Sequence, residues 1–328
     1  MQLTLKYVIG IFLTVVLIGS KPTDQFPQAE ITNGLIRARL YLPDGVNGFY
    51  RGSRFDWAGV MPELEYNGHT YFGKWYDEEH DPTFHDHIAG PVEEFTPIGY
   101  EEAKTGEVFL KIGVGILVKP EESKYSFATP YKNINSGRWK VKKKSDKVEF
   151  IQTLDHEGYS YRYQKTVQLV KGKPEMVLFH SLKNTGINEL VTSTYNHNFF
   201  VIDNQPIGPD FDVTFPFKLT SETEVAGTLG KLQDNKILFE KELVSDDHLF
   251  FRSLTGFGNN PEDYNIKIGN HKTGAGVQIT SDQPLSRIVF WSAPKTLCPE
   301  PYIKLAIKPG ETATWKIVYQ FTTQQVLK

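Results

Sequence analysis

Apolar and polar positions alternate with a period of two along much of this chain. Tyr161-Arg162-Tyr163-Gln164-Lys165-Thr166-Val167-Gln168-Leu169-Val170 is the plainest case. Such alternation predicts a half-buried strand, since successive side chains of an extended backbone point to opposite faces. Gly172-Lys173-Pro174 predicts a turn, and Met176 to Leu182 a returning strand. Val108 to Val114, apolar-rich and β-branched, reads as one further strand, and Glu189 to Tyr195, Val277 to Gln283 and Thr314 to Phe321 as others. Asn133 to Gly137 and Gly256 to Pro261 read as loops, and helical periodicity is sparse. Strands separated by Gly, Pro, Asn and Asp turns predict an all-β chain, folded as a large antiparallel β-sandwich. No low-complexity linker or internal repeat marks a boundary, so residues 21–328 read as a single domain.

The N-terminus breaks this pattern. Lys6 precedes the apolar run Tyr7 to Gly19, and Ser20-Lys21-Pro22 follows. A positive start, a short apolar stretch and a small terminal residue describe a secretory signal peptide over residues 1–20. The run is shorter than the roughly 20 apolar residues of a membrane span. The expectation is therefore export to the periplasm or medium, with no membrane attachment beyond the signal peptide. Cys298 is the only cysteine, which excludes an intrachain disulfide. The formal net charge is −3 and no basic face emerges, which argues against nucleic acid. Lys140 to Lys144, interrupted by Val141, reads as a solvated strand end and turn.

The candidate chemistry is spread along the chain. Near the C-terminus, Cys298-Pro299-Glu300-Pro301 holds a carboxylate between two prolines, read as a stiff loop. Lys308-Pro309-Gly310-Glu311 and an aromatic-rich strand follow. Upstream, the Asn184-Thr185-Gly186 turn leads through a strand to Asn196-His197. Arg51 and Arg54 stand among aromatics in Gly48 to Trp57, where guanidinium donors and ring faces suit sugar hydroxyls and sugar faces. His85-Asp86-His87 follows, then Glu93-Glu94. Glu262-Asp263-Tyr264-Asn265 and Trp291 complete the set. His85 and His87 have the spacing of a two-imidazole metal site on one strand face, and that reading ranks below sugar binding.

In order and spacing, these segments resemble the aldose 1-epimerase (galactose mutarotase-like) superfamily. The likeness runs in patches from Gly48 to Phe321 and is strongest over residues 263–321. It departs from the family at Pro299, where an aliphatic residue is usual, at Ser53, where Asn precedes the arginine, and in the missing di-glycine after the histidines. The resemblance implies a supersandwich fold and interconversion of the anomers of a free aldose, without cofactor or metal. It implies Glu300 as the base at the anomeric hydroxyl and His197 as the acid at the ring oxygen, placed on opposite sides of the substrate. Arg54, Arg51, Asp263, Trp291 and one of His85 and His87 would hold the sugar. The implied partner is a monosaccharide or small carbohydrate. Three other readings stay open: a non-catalytic carbohydrate-binding domain, a lyase or hydrolase on the same fold with Glu93 or Glu94 as a carboxylate partner, and a phosphosugar epimerase.

Overall fold

In the computed structural model, residues 26–121, 124–221 and 227–324 are described; the expected signal peptide lies outside them. Strand pairs are antiparallel throughout. A ten-stranded sheet runs, in spatial order, Gly230–Gln233, Lys236–Phe239, Phe211–Thr214, Asn265–Asn270, Ala275–Ser281, Thr312–Thr323, Glu175–Asn184, Tyr159–Leu169, Lys147–His156 and Arg138–Lys143. A six-stranded sheet runs Thr220–Ser221, Leu249–Thr255, Arg287–Ala293, Thr296–Ile307, Leu190–His197 and Val92–Phe95. Two smaller sheets carry Gln28–Thr32 to His69–Phe72 and Val108–Lys111 to Asn133–Asn135.

The two large sheets share one core. Val167, Leu178, Ile317 and Tyr319 from the first pack in the same apolar cluster as Leu254, Ile288, Phe290 and Ile303 from the second. That is a sandwich: each sheet buries alternate residues against the other and leaves the intervening ones on its outer face. Arg138–Lys143 forms an edge of the ten-stranded sheet, and its lysines blunt that edge against strand addition.

Three segments depart from the sequence expectations, each for a local reason. The run Val108 to Val114 is not one strand. Gly113 takes φ 79°, so the chain reverses between Val108–Lys111 and Gly115–Val118. A side chain at Gly113 would stand 2.7 Å from the Asp56 carboxyl, so only glycine fits. Asn133–Asn135, read as loop, pairs with Gly115–Val118 as a short strand. Glu300 sits in no loop: Thr296–Ile307 is one continuous strand. The prolines are tolerated because they lie beyond the end of the ladder with Leu190–His197, which stops at Tyr302. There the Pro299 carbonyl accepts from the Asn198 side chain at 2.6 Å instead.

Candidate active site

The outward face of the six-stranded sheet lines a cavity of about 840 Å³. The period of two decides which side chains reach it. On Leu190–His197, Tyr195 and His197 line the cavity while Asn196, between them, is buried and donates to Glu93 at 2.9 Å. On Val92–Phe95, Glu94 lines the cavity, and Glu93 is held beneath the sheet by Lys165 and His180. Arg287, Val289 and Trp291 alternate into the cavity from the next strand, Glu300 and Tyr302 from the one between.

Strand register then brings the two central groups together. Tyr195 is paired with Tyr302 across the sheet. Two residues along one strand and two back along the other stand His197 and Glu300, with Nε2 of the imidazole 3.3 Å from Oε1 of the carboxyl. The imidazole stacks on the Phe199 ring (3.8 Å between centroids, 11° between planes), with Phe55 and Trp291 edge-on at 5.6 and 5.8 Å. Phe199 takes φ 38°, a left-handed conformation that costs a bulky residue on the order of 1–3 kcal/mol and concentrates at functional sites. Among the described residues the His197 Nδ1 has no hydrogen-bond partner.

This apolar setting changes both proton affinities. Burial pushes the Glu300 carboxyl up to about 8; Arg54 and Arg287 pull it down, and Glu94 and Asp86 add to the rise. Burial also drives the His197 imidazole well below its ordinary 6.5, and the Arg54 charge acts in the same direction. At neutral pH the pair therefore holds one proton, resident on Glu300, beside a neutral imidazole. Transfer of that proton from Oε1 to Nε2 gives a carboxylate and an imidazolium with the same proton count.

A second cluster forms the adjoining wall. Arg54 donates from Nε to Glu94 at 2.8 Å, from Nη1 to Asp86, and from Nη2 to the Tyr195 hydroxyl at 3.3 Å. Its guanidinium lies between the Phe55 and Phe127 rings, 4.4 and 4.1 Å from their centroids. Glu94 also accepts from Tyr195 at 2.6 Å and from buried Lys111 at 3.1 Å. Burial raises the Glu94 pKa, but Lys111 and Arg54 overcome it and hold the group at about 2. Asp86 is likewise held at about 2, by Arg54 and His85 against its burial.

No protein-family model matches the chain, and no curated protein does. Solved structures do. It is similar to galactose 1-epimerase from Lactobacillus acidophilus NCFM at 11% identity and a TM-score of 0.54, over 93% of this chain and 98% of that one. It is similar to the GalM/aldose epimerase homologue from C. elegans at 13% identity and a TM-score of 0.55, over 92% and 99%. A galactose mutarotase-like protein from Clostridium acetobutylicum aligns at 14% identity with a TM-score of 0.54, over 92% and 100%. The chain has the galactose mutarotase-like fold.

Within this mutarotase-like fold, the sequence candidates separate into two groups. Arg54, His197, Glu300 and Trp291 line one cavity. Four others do not. Arg51 is not part of the lining, and its backbone N–H donates to the Pro82 carbonyl. His87 stacks flat on Tyr76 at 4.3 Å and accepts the Asp81 N–H through Nδ1, so its ring is committed to its own loop. His85 sits behind the cavity wall, 3.2 Å from Asp86 and packed on Phe127. Asp263 caps the 256–263 loop by accepting the Gly258 N–H at 2.6 Å. His85 and His87 thus turn to different partners, and among the described residues no group of three or more His, Cys, Asp or Glu is placed to hold a metal. His197 and Glu300 stand side by side rather than facing each other across a bound ring. Tyr195, Tyr302 and Arg287 were absent from the sequence candidates. The first two stand two residues from His197 and Glu300, and Arg287 is four before Trp291, so the period of two was the signal that would have found them.

Proposed function

We propose that this is an exported aldose 1-epimerase, an isomerase of carbohydrate metabolism that interconverts the anomers of a free sugar. The observation that carries this reading is the 3.3 Å contact between His197 and Glu300 in a cavity of sugar-binding size. The anomeric hydroxyl and the ring oxygen are both bonded to one carbon. Groups that serve those two oxygens must therefore be neighbours, as these are. The carboxylate of Glu300 takes the anomeric hydroxyl proton while the His197 imidazolium gives one to the ring oxygen. The C1–ring oxygen bond breaks, the aldehyde end rotates, and closure on the other face returns both protons. Acid and base together hold one proton before and after the cycle. Arg54 spends three of its five N–H groups on protein partners and keeps two for hydroxyls, and Trp291 and Phe127 offer ring faces to the sugar.

Glycoside hydrolysis is less well supported, because it needs a second carboxylate free to act as nucleophile or base. Glu94 is occupied by Arg54, Lys111 and Tyr195, and Glu93 is sealed under the sheet. Export is supported by the run Tyr7 to Gly19, and cell fractionation tests it. The activity is tested by polarimetry and NMR exchange on freshly dissolved α-aldoses. Anomer exchange that disappears in Glu300→Gln supports the enzyme. Sugar binding without exchange in the wild type leaves a carbohydrate-binding module.

A further inference from the structure

Beyond the His197–Glu300 pair, the cavity extends toward strands Leu249–Thr255 and Arg287–Ala293, and its character changes there. Arg252 and Arg287 both line it. Neither has a carboxylate within ion-pair distance among the described residues, whereas Arg54, on the opposite wall, has two. Arg287 uses one N–H on the Arg252 carbonyl at 3.2 Å, which spans the bulge between Phe251 and Leu254 and ties the two residues together. The Arg287 guanidinium lies 5.2 Å from the Tyr302 ring centroid and that of Arg252 5.6 Å from the Phe250 ring. Phe250 is itself 44% exposed, an apolar surface beside two free cations.

The charge balance points the same way. With Glu300 protonated, the lining holds three guanidinium groups against the ionised carboxylates of Asp86 and Glu94. The cavity is thus locally positive in a chain whose formal net charge is −3. The Arg287 charge also favours the ionised form of Glu300, and its strand partner Tyr302 stands two residues from that carboxyl, so the subsite and the reacting pair are neighbours on one face of the sheet.

We propose that the Arg252–Arg287 end of the cavity is an anion subsite, and that the natural substrate is an acidic carbohydrate bearing a carboxylate or a sulfate or phosphate ester. The inference rests on reading the cavity as a carbohydrate site, and it specifies which carbohydrate. A guanidinium fork matches a planar carboxylate or an ester oxyanion through paired N–H donors. Phe250 and Trp291 cover the apolar face of the ring that carries the anion.

The test is calorimetric binding and NMR anomer exchange, run in parallel on the full chain. The probes are glucose and galactose, glucuronate and galacturonate, and glucose 6-phosphate and glucose 6-sulfate. Wild-type protein is expected to bind one acidic class about tenfold or more tightly than the neutral parents, with affinity falling as salt rises. The favoured arm tells carboxylate from ester. Arg252→Ala and Arg287→Ala are each expected to collapse the acidic-to-neutral ratio toward one, and Arg252→Lys to restore part of it. Equal affinity for acidic and neutral sugars in the wild type overturns the subsite. So does a preference that survives both alanine variants. Exchange of neutral sugars without acidic preference sinks only this inference. Tight, arginine-dependent binding of acidic sugars without exchange keeps it and removes the epimerase reading.

Discussion

His197 and Glu300 are 103 positions apart in the chain and 3.3 Å apart in space. The register of two antiparallel strands, whose ladder ends at Tyr195 and Tyr302, carries the chain to this meeting point. Once Tyr195 faces Tyr302, the side chains two steps on must meet on the same side of the sheet. Both rest in an apolar pocket that penalises charge on either. The pair therefore settles as a neutral imidazole beside a neutral carboxyl, with the proton on Glu300.

Glu300→Gln keeps the shape of that pair and removes its acid–base capacity. Anomer exchange is expected to fall by roughly two to four powers of ten, with sugar affinity changed little. NMR exchange spectroscopy at saturating sugar reads the first, and titration calorimetry the second. Loss of both together would point to a structural role for the carboxyl.

The pH profile follows from the proton count. Above about 8, Glu300 loses its proton and the pair has none to give. At the other extreme, His197 takes a second proton only well below 6.5, and the pair then has no base. The expected kcat profile is a bell with its alkaline limb near 8 and its acid limb below 6.5. Initial rates in constant-ionic-strength buffers measure it. An alkaline limb that persists in a residually active Glu300→Gln variant would remove the assignment.

The same carboxyl links stability to pH. Its pKa is raised on folding, so its contribution is complete below the unfolded value near 4.5 and is lost as pH rises through about 8. His197, lowered on folding, acts in the opposite sense, but only below 6.5. Between 6.5 and 8 the Glu300 contribution is therefore the one of this pair still changing. Wild-type unfolding free energy, minus that of Glu300→Gln, is expected to fall across this window. Urea melts at pH 6.5 and 8.5 check the sign.

Much of this was legible in the residues because sheet faces write themselves into sequence with a period of two. Tyr161 to Val170 predicted its strand closely, and His197, Glu300, Arg54 and Trp291 are residues the cavity gathers. Three kinds of information were not legible. The flanking prolines suggested a loop at Glu300 because the sequence does not reveal that the neighbouring ladder ends at Tyr302. His87 and Asp263 were of the right residue types, yet each is consumed by a local turn, Asp81 and Gly258 respectively. Arg252 and Arg287 become a pair only across a bulge between two strands, and that register exists only in the folded sheet.

Arg54 joins the buried Glu94 and the half-buried Asp86 carboxylates, so it carries both stability and electrostatics. Arg54→Gln leaves Glu94 and Asp86 with fewer counter-charges, and is expected to cost about 3–5 kcal/mol, as for other broken buried pairs. It also removes a cation that holds the Glu300 pKa down. The alkaline limb of the rate profile should then move above 8. Denaturant melts test the first effect and the rate profile the second. A destabilised variant with an unmoved limb would show that Arg54 does not act on Glu300.

Phe199 offers a separate test of the cause of the His197 shift. Its ring covers one face of the imidazole at 3.8 Å and keeps water from it. Phe199→Ala opens that face, so the imidazole pKa should climb back toward 6.5. The Arg54 charge acts against a full return. Truncation of a buried phenylalanine costs about 3–5 kcal/mol, and release of the left-handed φ of 38° does not offset it, because alanine is strained there too. Titration of the His197 ring signals by NMR in both proteins decides the matter. An unchanged midpoint in Phe199→Ala would mean that charge, not dehydration, sets the imidazole, and the pH limits argued above would then follow the Arg54 guanidinium instead.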